Sequence, residues 1–169
     1  MHIHLSDSLS GRQETRDYEA EISFDTFDDG RSCYPVVEKQ PVRLRITKIG
    51  EKRLSLLAEV SFCLSMPCDR CLEPVTVPFS YEVSREADFG EEAREEEQAY
   101  IEGYVLDVDV LIRDELFVHM PMKILCREDC RGICNRCGAN LNHGDCGCDR
   151  TEPDPRMAAI RDIFRDANR

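Results

Sequence analysis

The cysteines constrain this chain more than any other feature. Four short pieces carry eight of the ten: Cys68-Asp69-Arg70-Cys71, Cys126-Arg127-Glu128-Asp129-Cys130, Cys134-Asn135-Arg136-Cys137 and Cys146-Gly147-Cys148. Six of these lie within the 23 residues from 126 to 148. A Cys-x-x-Cys turn lets two sulfurs converge on one tetrahedral ion at ~2.3 Å, with backbone N–H groups pointing at the thiolates and lowering their pKa. Gly138, directly after the second pair, supplies the left-handed residue such a knuckle needs. Two such turns brought together make a closed site with four sulfur ligands.

Compartment decides whether clustered thiols become disulfides or ligands. The opening Met1-His2-Ile3-His4-Leu5-Ser6-Asp7 has no basic stretch followed by an apolar one, and no apolar run approaches the ~20 residues of a membrane span. The expectation is therefore a cytoplasmic protein, in which a reducing environment keeps thiols available as metal ligands or redox groups.

Two pairings satisfy the ligand count. In the first, Cys134 and Cys137 close with Cys146 and Cys148 across the eight residues 138–145, which are rich in turn formers and fold back cheaply. Cys68 and Cys71 then join Cys126 and Cys130, stapling a hairpin tip to the segment that leaves a central helix. In the second, Cys68, Cys71, Cys134 and Cys137 form a single ribbon-like site and the other four stay partly free. The cofactor expectation is accordingly Zn²⁺, two ions or one. His143 is an alternative ligand in place of one sulfur.

Other readings of the same residues compete. An isolated Cys-x-x-Cys also suits a thiol oxidoreductase or redox sensor, but a thioredoxin-like motif belongs at a helix N-terminus in a βαβ unit, and here antiparallel-looking strands flank it. Cys33 and Cys63 are spaced as ordinary strand residues. His2 and His4 fall in a polar lead-in, and His119 reads as a hydrogen-bonded imidazole on a helix, not a general base. There is no His-Glu-x-x-His, Gly-rich phosphate loop or Gly-x-Ser-x-Gly, and all-sulfur zinc sites leave no position open for substrate. The chain reads as a non-enzyme.

Periodicity places these motifs. Val42, Leu44 and Ile46 alternate with polar neighbours, as do Ala58, Val60, Phe62 and Leu64; Val75, Val77, Phe79, Tyr81 and Val83 share one face of a further strand. Pro78 puts that last strand at an edge or a bulge. A short strand follows at 105–108. Asp109 is a candidate cap for a helix carrying Leu111, Ile112, Glu115, Leu116 and His119, which Pro121 ends. Asp154-Pro155 starts a closing helix with an apolar stripe of Met157, Ile160, Ile163 and Phe164, expected to dock on the body. At 169 residues, the length suits one domain of ~150. It divides into a polar lead-in (1–15), a sheet-plus-helix core (16–125) and a cysteine-rich metal segment with the C-terminal helix (126–169). Within the core, residues 86–97 hold seven acids against one Arg and read as a solvated loop. The fold expected is α+β: a compact antiparallel sheet, barrel-like or strongly curved, with a central helix, a C-terminal helix and a zinc-binding segment.

The segments Cys68-Asp69-Arg70-Cys71-Leu72-Glu73-Pro74 and Leu125-Cys126 through Leu141-Asn142 resemble the YceD-like large ribosomal RNA subunit accumulation proteins of bacteria and plastids. The likeness runs from the strands near residue 40 to the closing Asp154-Pro155-Arg156. It implies a non-catalytic ribosome-biogenesis factor supporting accumulation of the large-subunit (23S) rRNA. Asn135 departs from the Pro that relatives often carry in the second knuckle, and some relatives lack the downstream cysteines, which makes Cys68 and Cys71 the shared element the resemblance implies.

Charge qualifies that function. With 22 basic and 34 acidic residues the chain carries −12. Eight thiolates and two Zn²⁺ would add −8 + 4 = −4, so the molecule as a whole repels RNA. Candidate local contacts are Arg127, Arg131 and Arg136, with Lys123 and Arg150 nearby, and a second group of Arg43 and Arg45 with Lys48, Lys52 and Arg53. The partners expected are large-subunit rRNA or a pre-ribosomal particle, a basic ribosomal protein or an RNA-processing enzyme, and no membrane.

Overall fold

The computed structural model describes residues 1–11, 15–90 and 99–149, together with Met157, Ile160, Ile163 and Phe164. Among the described residues of its first two-thirds run nine strands and two helices, in the order β1 (His2–His4), α1 (Ser6–Ser10), β2 (Thr15–Ala20), β3 (Thr26–Asp28), β4 (Cys33–Lys39), β5 (Val42–Lys48), β6 (Arg53–Pro67), β7 (Pro74–Asp88), β8 (Ile101–Glu102), β9 (Val105–Asp107) and α2 (Val108–His119).

The period-two segments form the strands their pattern demands. β6 is the spine. Along its 15 residues every second side chain, Leu54, Leu56, Ala58, Val60, Phe62, Leu64 and Met66, is buried. On one side it pairs antiparallel with β7 over its whole length, from Arg53 opposite Asp88 to Pro67 opposite Pro74. On the other side its first half pairs with β5 and its second half with β4. β2 continues the sheet beyond β5 and β3 beyond β4, so six antiparallel strands curl into a half-barrel. Phe62 anchors the interior, stacked on Phe79 at 5.5 Å and edge-on to Phe24 at 6.3 Å. A buried aromatic of this size removes enough apolar surface from water to contribute about 1.5–3 kcal/mol.

The expected α+β class is present, as is the edge role for Pro78. β7 has β6 as its one strand neighbour among the described residues, so the missing N–H of Pro78 interrupts no ladder. α2 lays Leu111, Ile112 and Leu116 into the core, and the Tyr81 hydroxyl donates to the Ile112 carbonyl at 3.2 Å.

Several details differ from the sequence-based expectations. Residues 1–5 are not a loose lead-in: β1 pairs with β9, Ile3 and Leu5 are buried, and Leu5 donates its N–H to the Tyr104 carbonyl at 2.8 Å. Asp107, not Asp109, caps α2, its Oδ1 accepting from the N–H groups of Asp109 and Val110. Asp109 instead turns inward, where its carboxylate accepts from the Ser23 N–H at 2.9 Å, the Ser23 hydroxyl at 2.6 Å and the Met1 amino group. β7 extends through Asp88, so Glu86, Ala87 and Asp88 belong to a strand and Ala87 is fully buried. The remainder of the acidic run, 91–97, lies outside the described residues. So do Asp154-Pro155 and Arg150. Met157, Ile160, Ile163 and Phe164 are 48–68% exposed, so the stripe expected to dock faces solvent.

Candidate metal centres

The β6–β7 hairpin turns through residues 68–73, and this turn is the first knuckle. The Cys68 N–H donates to the Glu73 carbonyl at 2.8 Å and the Leu72 N–H to the Cys68 carbonyl at 2.9 Å. Closing the turn this tightly puts Leu72 at φ 63°, the one non-glycine residue with positive φ among the described residues. Two hydrogen bonds then hold the segment that leaves α2 against the turn: Asp69 N–H to the Ile124 carbonyl at 2.9 Å, and Ile124 N–H to the Asp69 carboxylate at 2.6 Å. That contact delivers Cys126 and Cys130 to the knuckle. Arg70 completes the junction, its guanidinium donating to the Cys130 carbonyl at 2.8 Å while its own carbonyl accepts from Ile133 N–H at 3.0 Å.

The outcome is a group of four sulfurs, from Cys68, Cys71, Cys126 and Cys130, all within 4.8 Å of one another. The Cys68 and Cys130 Sγ atoms are 3.8 Å apart, and those of Cys71 and Cys126 are 3.6 Å apart. A tetrahedral Zn–S₄ unit with bonds of ~2.3 Å has sulfur–sulfur edges of about 3.8 Å. Disulfides are ruled out at such spacing, and all ten cysteines are free thiols. A second group of the same size consists of Cys134, Cys137, Cys146 and Cys148. Here the Gly138 N–H donates to the Cys134 carbonyl at 2.9 Å and the Cys134 N–H to the Ala139 carbonyl at 2.8 Å, with Gly138 at φ 74° as the turn requires.

The electrostatics of both groups suit a cation. Burial works against ionisation of Cys68, but the N–H groups of Arg70, Cys71 and Cys126 outweigh it and hold the thiol down to about 6. N–H donors from Cys137 and Arg136 bring Cys134 to about 6 as well. At the other end of each group the effect reverses. Burial and the neighbouring sulfurs of Cys130, Cys71 and Cys68 push Cys126 up to about 12, and Cys137 and Cys146 push Cys148 up to about 12. Four thiols so close together cannot all ionise without a positive charge between them; a divalent ion supplies that charge. The donor sets of both groups, and the two sulfur–sulfur edges of the first, fit a tetrahedral ion.

The geometry selects the two-group pairing over the single ribbon-like site. His143 is not a member of either group; its Nε2 lies 2.7 Å from the Glu73 carboxylate. The arginine candidates fall into separate places. Arg127 and Arg131 flank the first group, Arg127 with its guanidinium 3.5 Å from Asp129. Arg43 and Arg45 lie on β5, opposite the far half of β6, and face Glu59 at 3.8 Å and Asp17 at 2.8 Å. Eight residues of β6, or about 26 Å of strand, separate Glu59 from the knuckle, so the two sets do not make one basic patch. Missed at the level of sequence were Asp69, Arg70 and Asn142, whose side chains fasten one cysteine segment to another. Their one signal is position, each lying within six residues of a ligand candidate.

A curled antiparallel sheet whose longest hairpin carries half of one four-sulfur group at its tip, with a second four-sulfur group further along the chain, defines a β-scaffold protein with a cysteine-built head. The chain belongs to the YceD family, described as large ribosomal RNA subunit accumulation protein YceD, whose model matches residues 56–164. It is similar to the large ribosomal RNA subunit accumulation protein YCED homolog 1, chloroplastic, of Arabidopsis thaliana, at 39% identity over 49 residues, covering 29% of this chain and 15% of that protein. It is also similar to uncharacterized proteins of Mycobacterium bovis and Mycobacterium tuberculosis, at 31% identity over 105 residues, covering 57% of this chain and 49% of theirs. The chain thus spans about half the length of the mycobacterial relatives and a smaller part of the plant one. No solved structure matches it. Among the described residues no helix is long and apolar enough to cross a membrane.

Proposed function

We propose that this chain is a non-catalytic ribosome-biogenesis factor that supports accumulation of the large-subunit (23S) rRNA in the cytoplasm, and that two Zn²⁺ ions hold its cysteine-built head rigid. Cys68, Cys71, Cys126 and Cys130 hold one ion; Cys134, Cys137, Cys146 and Cys148 hold the other. The observation that carries the reading is the four-sulfur composition of each group, which fills a tetrahedral ion's coordination and leaves no place for a substrate or an activated water. Structural zinc of this kind orders short segments that cannot build a core of their own, with apparent binding energies of ~10–16 kcal/mol in small domains. Membership of the YceD family supplies the ribosomal connection.

The net charge of −12 favours a basic protein partner, either a ribosomal protein or an RNA-processing enzyme on the pre-ribosomal particle, over broad contact with phosphates. Direct rRNA contact, where it occurs, is local and falls to Arg127, Arg131 and Arg136 at the head. A thiol oxidoreductase is disfavoured because the two thiols held down to about 6, Cys68 and Cys134, are both buried and a disulfide substrate has no access to them.

Depletion of the protein followed by gradient profiling of ribosomal subunits tests this function. Loss of large-subunit particles and of their rRNA relative to the small subunit is expected; unchanged large-subunit rRNA overturns the proposal.

A further inference from the structure

The loop that closes the second sulfur group also reaches into the first. Asn142 lies between the two halves of the second group, and its side chain bridges to the first: Nδ2 donates to the Cys130 sulfur at 3.3 Å, and Oδ1 accepts from the Arg131 N–H at 2.8 Å. Its own backbone N–H donates to the Asn140 side-chain oxygen at 2.9 Å, fixing the loop's shape. The next residue repeats the connection. His143 Nε2 lies 2.7 Å from Glu73 Oε1, and the Glu73 carbonyl accepts from Cys68 N–H. On the other flank Leu141 N–H donates to the Gly132 carbonyl at 2.8 Å, between Cys130 and Cys134. The contacts of Leu141, Asn142 and His143 thus join the loop 138–145 to Cys130 or to residues within two positions of Cys130 or Cys71.

Closure of Cys134 and Cys137 onto Cys146 and Cys148 pins both ends of that loop. Closure therefore presents Asn142 to Cys130 already oriented, and the first group no longer bears the entropy of ordering it. Linkage makes the effect reciprocal: a metal at the first group holds Cys130 where Asn142 can meet it, which favours closure of the second.

We infer that the two cysteine groups bind metal cooperatively, and that Asn142 is the positioning residue that couples them. The inference rests on the reading of the groups as metal centres. It assigns the downstream cysteines a role beyond local stability, since they set the affinity of the upstream site.

Co²⁺ titration of the whole chain, read by the visible absorption of tetrahedral thiolate-bound Co²⁺ against a competing chelator, tests the coupling. Three proteins are compared: the unaltered chain, Cys68→Ser/Cys71→Ser to isolate the downstream site, and Cys146→Ser/Cys148→Ser to isolate the upstream one. Cooperativity appears as a two-ion constant for the unaltered chain that exceeds the product of the two single-site constants, by about tenfold for coupling of ordinary strength. Repeating the set with Asn142→Ala brings that ratio close to one, while the downstream constant stays as before and reports that the head still folds. A ratio of one in the unaltered chain, with two ions bound, overturns the coupling and leaves the metal centres standing. A ratio that persists in Asn142→Ala overturns the assignment of Asn142. Absence of any thiolate-bound Co²⁺ spectrum overturns the metal centres themselves, and the coupling with them.

Discussion

The Sγ atoms of Cys68 and Cys130 lie 3.8 Å apart although 62 positions separate them in the chain. This contact joins the tip of the longest hairpin to the segment after α2, and it is the distance one edge of a tetrahedral Zn–S₄ unit needs. The purified protein is therefore expected to carry two equivalents of zinc by elemental analysis. Cys68→Ser and Cys134→Ser should each leave one equivalent. Loss of both ions in either variant, or a full complement in both, contradicts the partition into two groups.

Gly132 sits where the two groups meet, at φ 75°, and a Cβ there would stand 3.0 Å from the Arg70 carbonyl oxygen. That oxygen also accepts the Ile133 N–H, so it cannot retreat without breaking the junction. Gly132→Ala combines backbone strain with a clash and should destabilise the head by about 1–3 kcal/mol. Hydrogen exchange of the Ile133 and Leu141 amides measures it; protection equal to that of the unaltered chain would show that the junction tolerates a side chain.

Phe62 is buried at the middle of β6 between Phe79 and Phe24. Phe62→Ala is expected to cost about 3–5 kcal/mol, because the half-barrel cannot collapse around the space without moving three strands. Denaturant unfolding provides the check, and a loss below ~1 kcal/mol would place the core elsewhere.

Asp109 makes stability depend on pH. Burial raises its pKa, but the Met1 amino group and both Ser23 donors more than offset this and hold the carboxyl below its ordinary 3.8. A group depressed in the folded state contributes stability above its unfolded pKa, and that contribution disappears as pH falls through the folded value. The contribution is thus complete at neutral pH and is lost only in acid below about 3.9. Asp109→Asn should lower the melting temperature at pH 7 and narrow the gap to the unaltered chain as the pH approaches 3. A gap independent of pH over that range would mean the carboxylate's charge does not matter.

The parts of this fold that were legible in the sequence are those governed by local pattern. The alternation through Val42–Ile46, Ala58–Leu64 and Val75–Val83 reports β5, β6 and β7 because a strand with one buried face must repeat every second residue. The grouping of Cys134 and Cys137 with Cys146 and Cys148 is one of the two pairings the sequence allows, favoured by a loop short enough to close on itself, and the folded chain selects it. Where expectation failed, the controlling partner was distant. β1 is three residues long, too short for any periodicity, and is a strand because β9 supplies its hydrogen bonds. Glu86 and Asp88 look like solvated loop until β6 pairs with them across the sheet. Asp109 has the composition of a cap, but Ser23 and Met1 draw it inward and leave Asp107 to the helix end.

From residue order alone came the strand faces, the antiparallel class and the supply of eight sulfurs in closely spaced pairs, since each is a matter of neighbours within a few positions. Only the folded chain decided that the hairpin tip meets the segment after α2 and that Asn142 reaches Cys130. Those contacts exist because β6 and β7 run together for 15 residues and carry the knuckle to one end of the sheet, where Asp69 and Arg70 find their partners through space and not along the chain.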